Sequence, residues 1–489
     1  MNSRRLARLI YPGFRFGSSD PGLALKLAEL GVGGFCFYGG EAGEVRALSR
    51  RLKAASETPL LIASDYENGA GQRARGATDL PSNMAIGASG SEALARRKGE
   101  ITALEARALG VDWVFAPVLD LATRPDNPIV NVRAYGAEPG LAARLGEAFI
   151  SGLNSQGALA CVKHFPGHGD TSADSHLELP SVGKNLFALE ELELRPFKAL
   201  ARRADAVMAA HLLLPELDAV NPASLSKEIL TGLLRRRLGY AGLIVTDALE
   251  MKAVSADPAA GVKAFLAGAD ALLVPDDPFA LHAELARAAN DGLLTAAAVD
   301  AALARQDSLV RKLAPFRSAP PPDTLRCPEH LAFNAEAAPA CLAWASPARF
   351  RLNPGETVGY FEPVTAQKDW KGAAFAAELA RLGVRVEPYQ PGCGMRLAAG
   401  CFSRPRAGSG SINLSDEEWR ALESAIAGAA DSVLLAFGSP FVLNGLAPTA
   451  GLCAFCALED FQRAAAGALA GQVRAGGSMP VKISLRNKI

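Results

Sequence analysis

The chain has 489 residues, of which 49% are hydrophobic and 21% are charged. This composition is ordinary for a globular protein, and the length is enough for two domains or for one large barrel with a smaller unit. Lysine plus arginine and aspartate plus glutamate both number 51, so the formal net charge is zero. A balanced charge gives no electrostatic reason to expect a nucleic acid as a partner.

The N-terminal residues 1–8 are basic, but no long apolar core follows them as in a signal peptide. No uninterrupted apolar run approaches the ~20 residues of a membrane-spanning helix. The sequence therefore predicts no membrane partner and a cytoplasmic location. Among its eight cysteines, the lone CxxC motif Cys453–Cys456 lies in an apolar context that favours buried thiols over a redox or metal site.

In the first 315 residues, short apolar runs alternate with amphipathic stretches rich in alanine, leucine and arginine. Eight runs predict strands, at residues 6–10, 33–38, 59–64, 111–118, 158–163, 205–211, 242–247 and 269–274. Helices are predicted between them, for example at 91–109, 140–156, 186–204 and 227–238. Eight strands alternating with helices favour an α/β fold of the (β/α)8 TIM-barrel type over an open doubly wound sheet.

Polar side chains follow six of these predicted strands. They are Asp65, Asp120, Lys163 with His164, His211, Asp247, and Asp276 with Asp277. A barrel collects the carboxyl ends of all its strands on one face, where enzymes with this fold carry out their reactions. An open sheet would not gather these side chains around one centre. The pattern therefore predicts a reaction site on that face.

A proline-rich segment after residue 315, with Pro320-Pro321-Pro322, predicts an extended linker over 316–328. Beyond it, strand and helix patterns resume at 357–361, 373–382, 384–389, 416–430, 432–437 and 458–469. We therefore predict a catalytic barrel over 1–315, the linker over 316–328 and a smaller α/β domain over 329–489. Gly400–Ser411 is predicted to be a flexible loop.

Three of the chain's six histidines lie between Lys163 and His176, directly after a run that predicts a buried strand. Asp174 precedes His176 by two residues, and a carboxylate at this spacing can orient the ring and favour its protonated form. A histidine held in this way can give a proton to a leaving group and later take one from water. The alternative without a catalytic role is an Asx-turn that carries an exposed histidine.

The same stretch contains side chains of the kinds that bind metals. They are His164, His168, Asp170, Asp174 and His176. No HExxH motif or paired CxxC motif accompanies them, so the sequence indicates no geometry for a metal site. We therefore expect no metal and no cofactor.

Asp247 follows the apolar run Leu243–Thr246, where a strand leaves the core. Considered alone, it could be the N-cap of a following helix. Together with a separate proton donor, it supplies the two groups of a retaining glycosidase. One group is a carboxylate that bonds to the anomeric carbon, and the other is an acid that frees the leaving oxygen.

The sequence resembles the glycoside hydrolase family 3 β-N-acetylhexosaminidases. The shared motifs are Lys-His-Phe-Pro-Gly-His-Gly at 163–169, Asp-Ser-His at 174–176, Thr-Asp-Ala-Leu-Glu-Met at 246–251, and the segments 115–120, 131–136 and 222–226. The resemblance covers most of residues 1–315 and is loose beyond them. The segment from Asp65 to Arg73 keeps its end residues and spacing, but its middle departs from the family pattern. Arg-Ala-Tyr-Gly at 133–136 replaces the usual Arg-Ser-Phe-Gly.

The resemblance implies that Asp247 is the nucleophile, His176 the acid/base and Asp174 the partner of His176. It also implies that a set of charged side chains holds the hydroxyl groups of a terminal N-acetylglucosamine. The members of this set are Asp65, Arg73, Arg133, Lys163 and His164, with Asp120 and His211 as nearby supports. Charged groups in a dry pocket discriminate strongly between hydroxyl positions. Arg133 and Lys163 could also be buried salt-bridge partners of Asp65 and Asp120.

The resemblance implies a retaining exo-β-N-acetylglucosaminidase that acts on small carbohydrates, in particular muropeptide fragments during cell-wall recycling. Three alternatives stay open: a β-glucosidase or β-xylosidase of the same family, a phosphorylase that uses the same residues, and a non-catalytic sugar-binding protein. Asp174 and His176 argue against the first, since those members use a carboxylate as acid/base. A neutral histidine would not repel phosphate, which permits the second. The intact Asp247 argues against the third.

Overall fold

The computed structural model describes residues 2–171, 177–363, 370–403 and 414–486. The chain forms two compact units. The first unit comprises Met1–Leu80, Glu92–Leu121 and Ala142–Cys327, and the second comprises Pro81–Ser91, Ala122–Leu141 and Pro328–Ile489. Two segments that precede residue 315 therefore belong to the second unit. The domain boundaries at 315 and 328 stay a prediction.

Within the described ranges, the first unit contains a ring of eight parallel strands. In chain order they are β1 (Ile10–Tyr11 and Gly13–Arg15, interrupted at Pro12), β2 (Gly34–Tyr38), β3 (Leu61–Ser64), β4 (Trp113–Val114), β5 (Leu159–Phe165), β6 (Ala206–Ala209), β7 (Leu243–Thr246) and β8 (Leu272–Leu273). Each strand from β1 to β6 pairs in parallel with the next.

The ring closes through β8. The backbone N–H of Thr246 in β7 donates to the carbonyl of Ala271 at 3.1 Å, just before β8 begins. On the other side, β8 pairs in parallel with β1, where Ile10 lies opposite Leu272. The predicted TIM barrel is confirmed.

Helices follow the strands of the first unit. Their bounds are Ser3–Ala7, Pro21–Leu30, Ala42–Ala55, Glu92–Ala108, Pro139–Ser155, Leu186–Glu191, Leu194–Leu200, Ala260–Ala267, Pro278–Asn290 and Ala296–Leu313, with a π-helix at Glu228–Arg237. Short 3-10 turns lie at Ala70–Gln72, Ala223–Leu225, Ala314–Phe316 and Pro322–Thr324. The last two turns fall in and beside the segment predicted as an extended linker.

Two predicted elements of this unit were wrong. The first strand was predicted at residues 6–10 but begins only at Ile10, because Ser3–Ala7 forms a helix whose first turn is capped by the Asn2 side chain, which accepts from the backbone N–H of Arg4. The helix predicted over 186–204 is divided at Leu192. Pro196 has no N–H to donate to the carbonyl of Leu192, so a continuous helix would lack that bond.

Apolar side chains fill the interior of the ring. The rings of Tyr11 and Phe115 both meet Trp113 edge-on, at centroid distances of 5.8 and 4.9 Å. Cys36 and Cys161 belong to the same fully buried cluster, and burial raises the pKa of both thiols. The centre of the barrel is therefore a packed core, and chemistry is confined to its ends.

The described part of the second unit contains a six-stranded sheet. Its strands are β9 (Ala343–Trp344), β10 (Thr357–Phe361), β11 (Arg385–Pro388), β12 (Leu397–Cys401), β13 (Ser432–Ala436) and β14 (Ala450–Cys453), in the order β9-β14-β13-β12-β10-β11. All pairings are parallel except that of β9 with β14. Helices of this unit lie at Asn83–Ser89, Pro328–Cys341, Ala373–Arg381, Asp416–Ala427 and Glu459–Leu469.

The sequence missed β12, whose last two residues fall in the loop predicted over 400–411. This strand is buried along its whole length, between β10 and β13. Its residues, Leu-Ala-Ala-Gly-Cys, include three with weak strand propensity, so packing between neighbouring strands decides its conformation.

Every helix in the described ranges is too short or too polar to cross a lipid bilayer. Each of the eight cysteines lies in those ranges and is a free thiol.

Candidate active site

Asp247 stands directly after β7, at the carboxyl end of the ring. Its backbone N–H donates to the carbonyl of Ala209 in β6 at 2.9 Å. Its Oδ1 accepts the backbone N–H of Ala248 at 2.8 Å, and the side chain is half-buried. No helix begins here in the described chain; turns follow, and the next helix starts at Ala260. The alternative of a helix N-cap is therefore wrong.

His211 holds the turn that follows Asp247. The ring is fully buried, and its Nε2 lies 2.9 Å from the carbonyl oxygen of Ala248. Because a carbonyl can only accept, Nε2 carries a proton, and Nδ1 lies within hydrogen-bond distance of the Ser224 hydroxyl, at 2.6 Å. Both ring nitrogens are thus engaged within the protein. This geometry supports the turn rather than a direct contact with a sugar.

Lys163 in β5 lies between two carboxylates. Its Nζ is 2.7 Å from both Asp65 Oδ1 and Glu67 Oε1, and the lysine and glutamate side chains are almost fully buried. Arg73 approaches the other oxygen of Asp65 at 3.6 Å. The predicted salt bridge of Lys163 is therefore present. The sequence interpretation missed Glu67, although its spacing of two residues from Asp65 is the pattern that directs side chains to one side of an extended chain.

Asp120 organises the chain after β5. Its Oδ2 is 2.6 Å from Nδ1 of His164, which must carry a proton because the carboxylate accepts. Its Oδ1 accepts the backbone N–H of His168 at 2.7 Å. Burial raises the pKa of Asp120, but the charge and hydrogen bonds of His164, with smaller contributions from His168, outweigh burial and hold that pKa below 3.8. Asp120 therefore stays ionised and fixes the His164 ring.

His168 is a buried neutral ring. Its Nδ1 lies 2.9 Å from Thr171 Oγ1, and the Thr171 hydroxyl donates to the carbonyl of His168 at 3.1 Å. Burial lowers the pKa of His168 from 6.5 to about 4, against the opposing charge of Asp120. In the described ranges, no group of three or more histidine, cysteine, aspartate or glutamate side chains is arranged to hold a metal ion.

Two cations lie close to the ring of Tyr38, which ends β2. The guanidinium carbons of Arg15 and Arg73 are 4.8 and 5.8 Å from the ring centroid. Arg15 also pairs with Glu250, three residues after Asp247. The negative charge of Asp247 acts on both the Tyr38 hydroxyl and the His168 ring. Groups from several strand ends therefore share one electrostatic neighbourhood, and the sequence interpretation had not included Arg15 or Tyr38.

The structure does not unite every predicted residue. Asp174 and His176 lie outside the described residues. Arg133 belongs to the second unit, in the 3-10 turn Asn131–Arg133, where its Nη1 donates to the carbonyl of Ile129 at 3.2 Å. The roles of these three residues stay predictions.

Asp277 has a structural role instead of the strand-end role that its position suggested. Its Oδ1 accepts from the backbone N–H groups of Phe279 and Ala280, at 2.8 and 3.0 Å, and caps the helix that begins at Pro278.

A closed ring of parallel strands, with acids, a lysine and histidines at its carboxyl end, is the architecture of TIM-barrel enzymes. Residues 25–309 match the model of the glycosyl hydrolase family 3 N-terminal domain. Since this match spans more than half of the chain, the chain belongs to glycoside hydrolase family 3.

Known relatives and structures agree with this assignment. A β-hexosaminidase from Neisseria meningitidis serogroup C is 37% identical over 270 residues, which are 52% of this chain and 74% of the relative. β-Hexosaminidase A from Pseudoalteromonas piscicida is 33% identical over 284 residues, or 52% of this chain, and the match spans about half (48%) of that relative's length.

Two solved structures cover nearly the whole chain. A family 3 β-N-acetylglucosaminidase from Paenibacillus sp. str. FPU-7 is 30% identical with a TM-score of 0.85, over 99% of both chains. The β-glucoside phosphorylase BglX is 25% identical with a TM-score of 0.87, over 98% of this chain and 93% of the other. The fold thus extends through the second unit in both.

Proposed function

We propose that this protein is a retaining exo-β-N-acetylglucosaminidase in which Asp247 is the nucleophile and His176 the acid/base. The observation that carries the proposal is the half-buried carboxylate of Asp247 at the end of β7 in a family 3 barrel. Its backbone is fixed to β6, and the turn after it is fixed by His211. A carboxylate held in this way is preorganised for attack on an anomeric carbon.

The proposed reaction has two steps, the formation and the hydrolysis of a glycosyl-enzyme intermediate. In the first, Asp247 bonds to the anomeric carbon, the glycosidic C–O bond breaks, and His176 gives its proton to the departing oxygen. In the second, His176 takes a proton from water, the water oxygen bonds to the anomeric carbon, and the carboxylate of Asp247 leaves. Asp174 orients His176 throughout. Two displacements at one carbon retain its configuration.

The ion-paired cluster of Lys163, Asp65 and Glu67 is proposed to bind the sugar hydroxyl groups together with Arg73 and His164. Lys163 offers N–H donors, and Asp65, which keeps a side-chain exposure of 18%, offers an acceptor. Because Asp65 and Glu67 hold the ammonium group in place, little reorganisation is needed when a hydroxyl arrives. Asp120 and His211 act as supports that position His164 and the Asp247 turn.

The proposed substrates are small N-acetylglucosaminides, and in particular muropeptide fragments that arise when the cell wall is recycled. The named hexosaminidase relatives and the Paenibacillus structure support the sugar class. A cytoplasmic setting is part of the proposal. It is supported by eight free cysteines, since thiols persist in a reducing compartment.

One substrate panel tests the proposal against its rivals. The protein is incubated with aryl β-glycosides of N-acetylglucosamine, glucose and xylose, with and without phosphate, and the sugar products are identified. We expect rapid release of free N-acetylglucosamine, with no dependence on phosphate. A sugar 1-phosphate would establish phosphorolysis, the activity named for the similar BglX structure. A preference for glucose or xylose would reject N-acetylglucosamine as the substrate sugar. The absence of any turnover would reject the proposal that the protein is a glycosidase.

The assignment of His176 has its own test. His176→Ala should slow substrates with poor leaving groups by about 10²-fold or more, because they need a proton in the transition state. Aryl substrates with good leaving groups need no proton and should lose far less in the first step. Equal losses on both classes would show that His176 is not the acid.

A further inference from the structure

Residues 172–176, which carry the proposed acid/base, are flanked by two described limbs of chain. The outgoing limb runs from β5 to Thr171, and the returning limb runs from Leu177 to the helix Leu186–Glu191. The returning limb is fixed by backbone bonds to the chain after β6, from Val182 N–H to the Leu213 carbonyl at 3.0 Å and from Leu213 N–H to the Pro180 carbonyl at 2.9 Å.

A cation on the returning limb joins the two limbs. Lys184 Nζ lies 3.0 Å from Oδ2 of Asp170, which is on the outgoing limb. The same Nζ lies 2.6 Å from Oε1 of Glu193, whose side chain is almost fully buried. The lysine itself has a side-chain exposure of 26%, so solvent screens the pairs incompletely.

Glu193 also supports the outgoing limb directly. A Cβ atom added at Gly167 would lie 2.7 Å from Cβ of Glu193, and Gly167 has a φ of +126°. The glycine backbone therefore lies against the glutamate, and a larger residue would not fit. Glu193 thus contacts both Lys184, through an ion pair, and the outgoing limb, through Gly167.

We propose that Lys184 is a positioning residue for the acid/base, because its pairs with Asp170 and Glu193 fix the separation of the two described limbs on either side of residues 172–176 in the chain. This inference rests on the proposed function of His176. Lys184 touches no reacting atom in this scheme. It acts by setting where the ends of the intervening segment lie, and a small displacement of an acid/base is enough to cost catalysis.

The charge state of Lys184 suits this role. Burial lowers its pKa, but the hydrogen bonds and charges of Glu193 and Asp170 outweigh burial and hold the pKa above 10.5. The side chain therefore keeps its charge over the whole range in which a histidine acid/base operates.

The test is a leaving-group series with Lys184→Met, which keeps much of the side-chain volume and removes the charge. For alkyl N-acetylglucosaminides we expect kcat/KM to fall about tenfold or more, and for a dinitrophenyl glycoside, which needs no proton, to change by about twofold or less. Lys184→Arg should restore most of the alkyl rate. If Lys184→Met fails to fold, Asp170→Asn, which removes one of the two ion pairs, replaces it. This variant should also lose more kcat/KM on the alkyl than on the dinitrophenyl glycoside, but by a smaller factor.

A matched control and a double variant make the outcome specific. Lys263 pairs with Asp257 at 2.6 Å on the surface, so Lys263→Met removes a comparable pair and should leave both substrates unchanged. In a His176→Ala background, Lys184→Met should cause no further loss on alkyl glycosides, because its effect acts through His176. Equal losses on both substrates, or additive losses in the double variant, would overturn the inference. Inactivity of the wild type would instead overturn the proposed function.

Discussion

Two carboxylates occupy the same position in the two units, one residue beyond the end of a parallel strand. Glu362 follows β10 and is buried, and it accepts from the hydroxyl of Tyr360 at 2.8 Å and from the backbone N–H groups of Gly372 and Lys371 at 2.8 and 3.1 Å. Asp247 follows β7, is half-buried, and uses Oδ1 to accept from its neighbour Ala248. The position alone therefore does not make a reactive acid.

The difference lies in what surrounds each carboxylate. Glu362 connects the end of β10 to the segment just before the helix Ala373–Arg381. Its carboxylate oxygens accept hydrogen bonds from three donors of the protein. Around Asp247, the backbone N–H donates to Ala209, Oδ1 accepts from Ala248, and His211 fixes the carbonyl of Ala248. The strand-end acid of the barrel is thus half-buried beside a turn that His211 fixes, whereas the strand-end acid of the second unit is buried and accepts from three protein donors.

The largest effect should come from Asp247→Asn, which keeps an acceptor for Ala248 but removes the nucleophile. We expect kcat/KM on aryl N-acetylglucosaminides to fall by about 10³-fold or more while the melting temperature stays unchanged. Activity is measured by initial rates, and folding by circular dichroism. A variant with nearly normal rates would end the assignment of Asp247.

Glu362→Ala should give the opposite result. It leaves the buried Tyr360 hydroxyl, the buried N–H of Gly372 and the part-buried N–H of Lys371 without their acceptor, so the free energy of unfolding should fall by about 3 kcal/mol. Urea unfolding measures this loss. The kcat/KM of the folded fraction should match the wild type. A loss of activity without a loss of stability would show that Glu362 does not have the purely structural role that distinguishes it from Asp247.

His168 makes stability depend on pH. Its pKa is about 4 in the folded protein and 6.5 when exposed, so the unfolded chain binds the proton first as the pH falls. The stability from burying the neutral ring is therefore complete above pH 6.5 and is lost towards pH 4. Between about pH 7 and pH 5, the wild type should lose about 2 kcal/mol more than His168→Gln.

Urea unfolding at both pH values measures this difference, and His282→Gln, which removes a partly exposed histidine from the helix Pro278–Asn290, is the control. His282→Gln should follow the wild type. If His168→Gln also follows it, the ring is not buried in its neutral form.

The smallest effect should come from Ser224→Ala, which removes the hydrogen bond to Nδ1 of His211. The bond contributes about 1 kcal/mol, and a looser ring should lower kcat/KM by about fivefold through the Ala248 turn. Ser226→Ala is the matched control, because Ser226 is also buried but serves the π-helix after it. Rates are compared on one aryl glycoside. Equal activity in the two variants would show that the hydrogen bond between Ser224 and His211 does not contribute to catalysis.

The sequence predicted the barrel well because its strands are short apolar runs between helices. It also predicted the positions of Asp65 and Asp247, each of which directly follows a strand, since the change from apolar to polar residues marks the strand end. Lys163 instead lies inside β5, and Asp120 lies several residues beyond the end of β4. This information is local. It needs no knowledge of which strands are neighbours.

Features that depend on distant contacts could not be predicted in the same way. The two carboxylates around Lys163 come from a loop about a hundred positions earlier, and Asp120 meets His164 across a separation of 44 residues. The strand Leu397–Cys401 is defined by its neighbours and not by its own propensity. Arg133 lies in a segment that precedes residue 315 but belongs to the second unit.

Each unit contains buried thiols whose alkylation would report when that unit opens. Cys36 and Cys161 lie inside the barrel, while Cys401 and Cys453 end two strands of the second sheet. All four are sealed from water with a raised thiol pKa, so alkylating reagents can reach them when the surrounding strands separate. Mass spectrometry of the labelled peptides would therefore time the opening of the barrel and of the second sheet separately, in one sample.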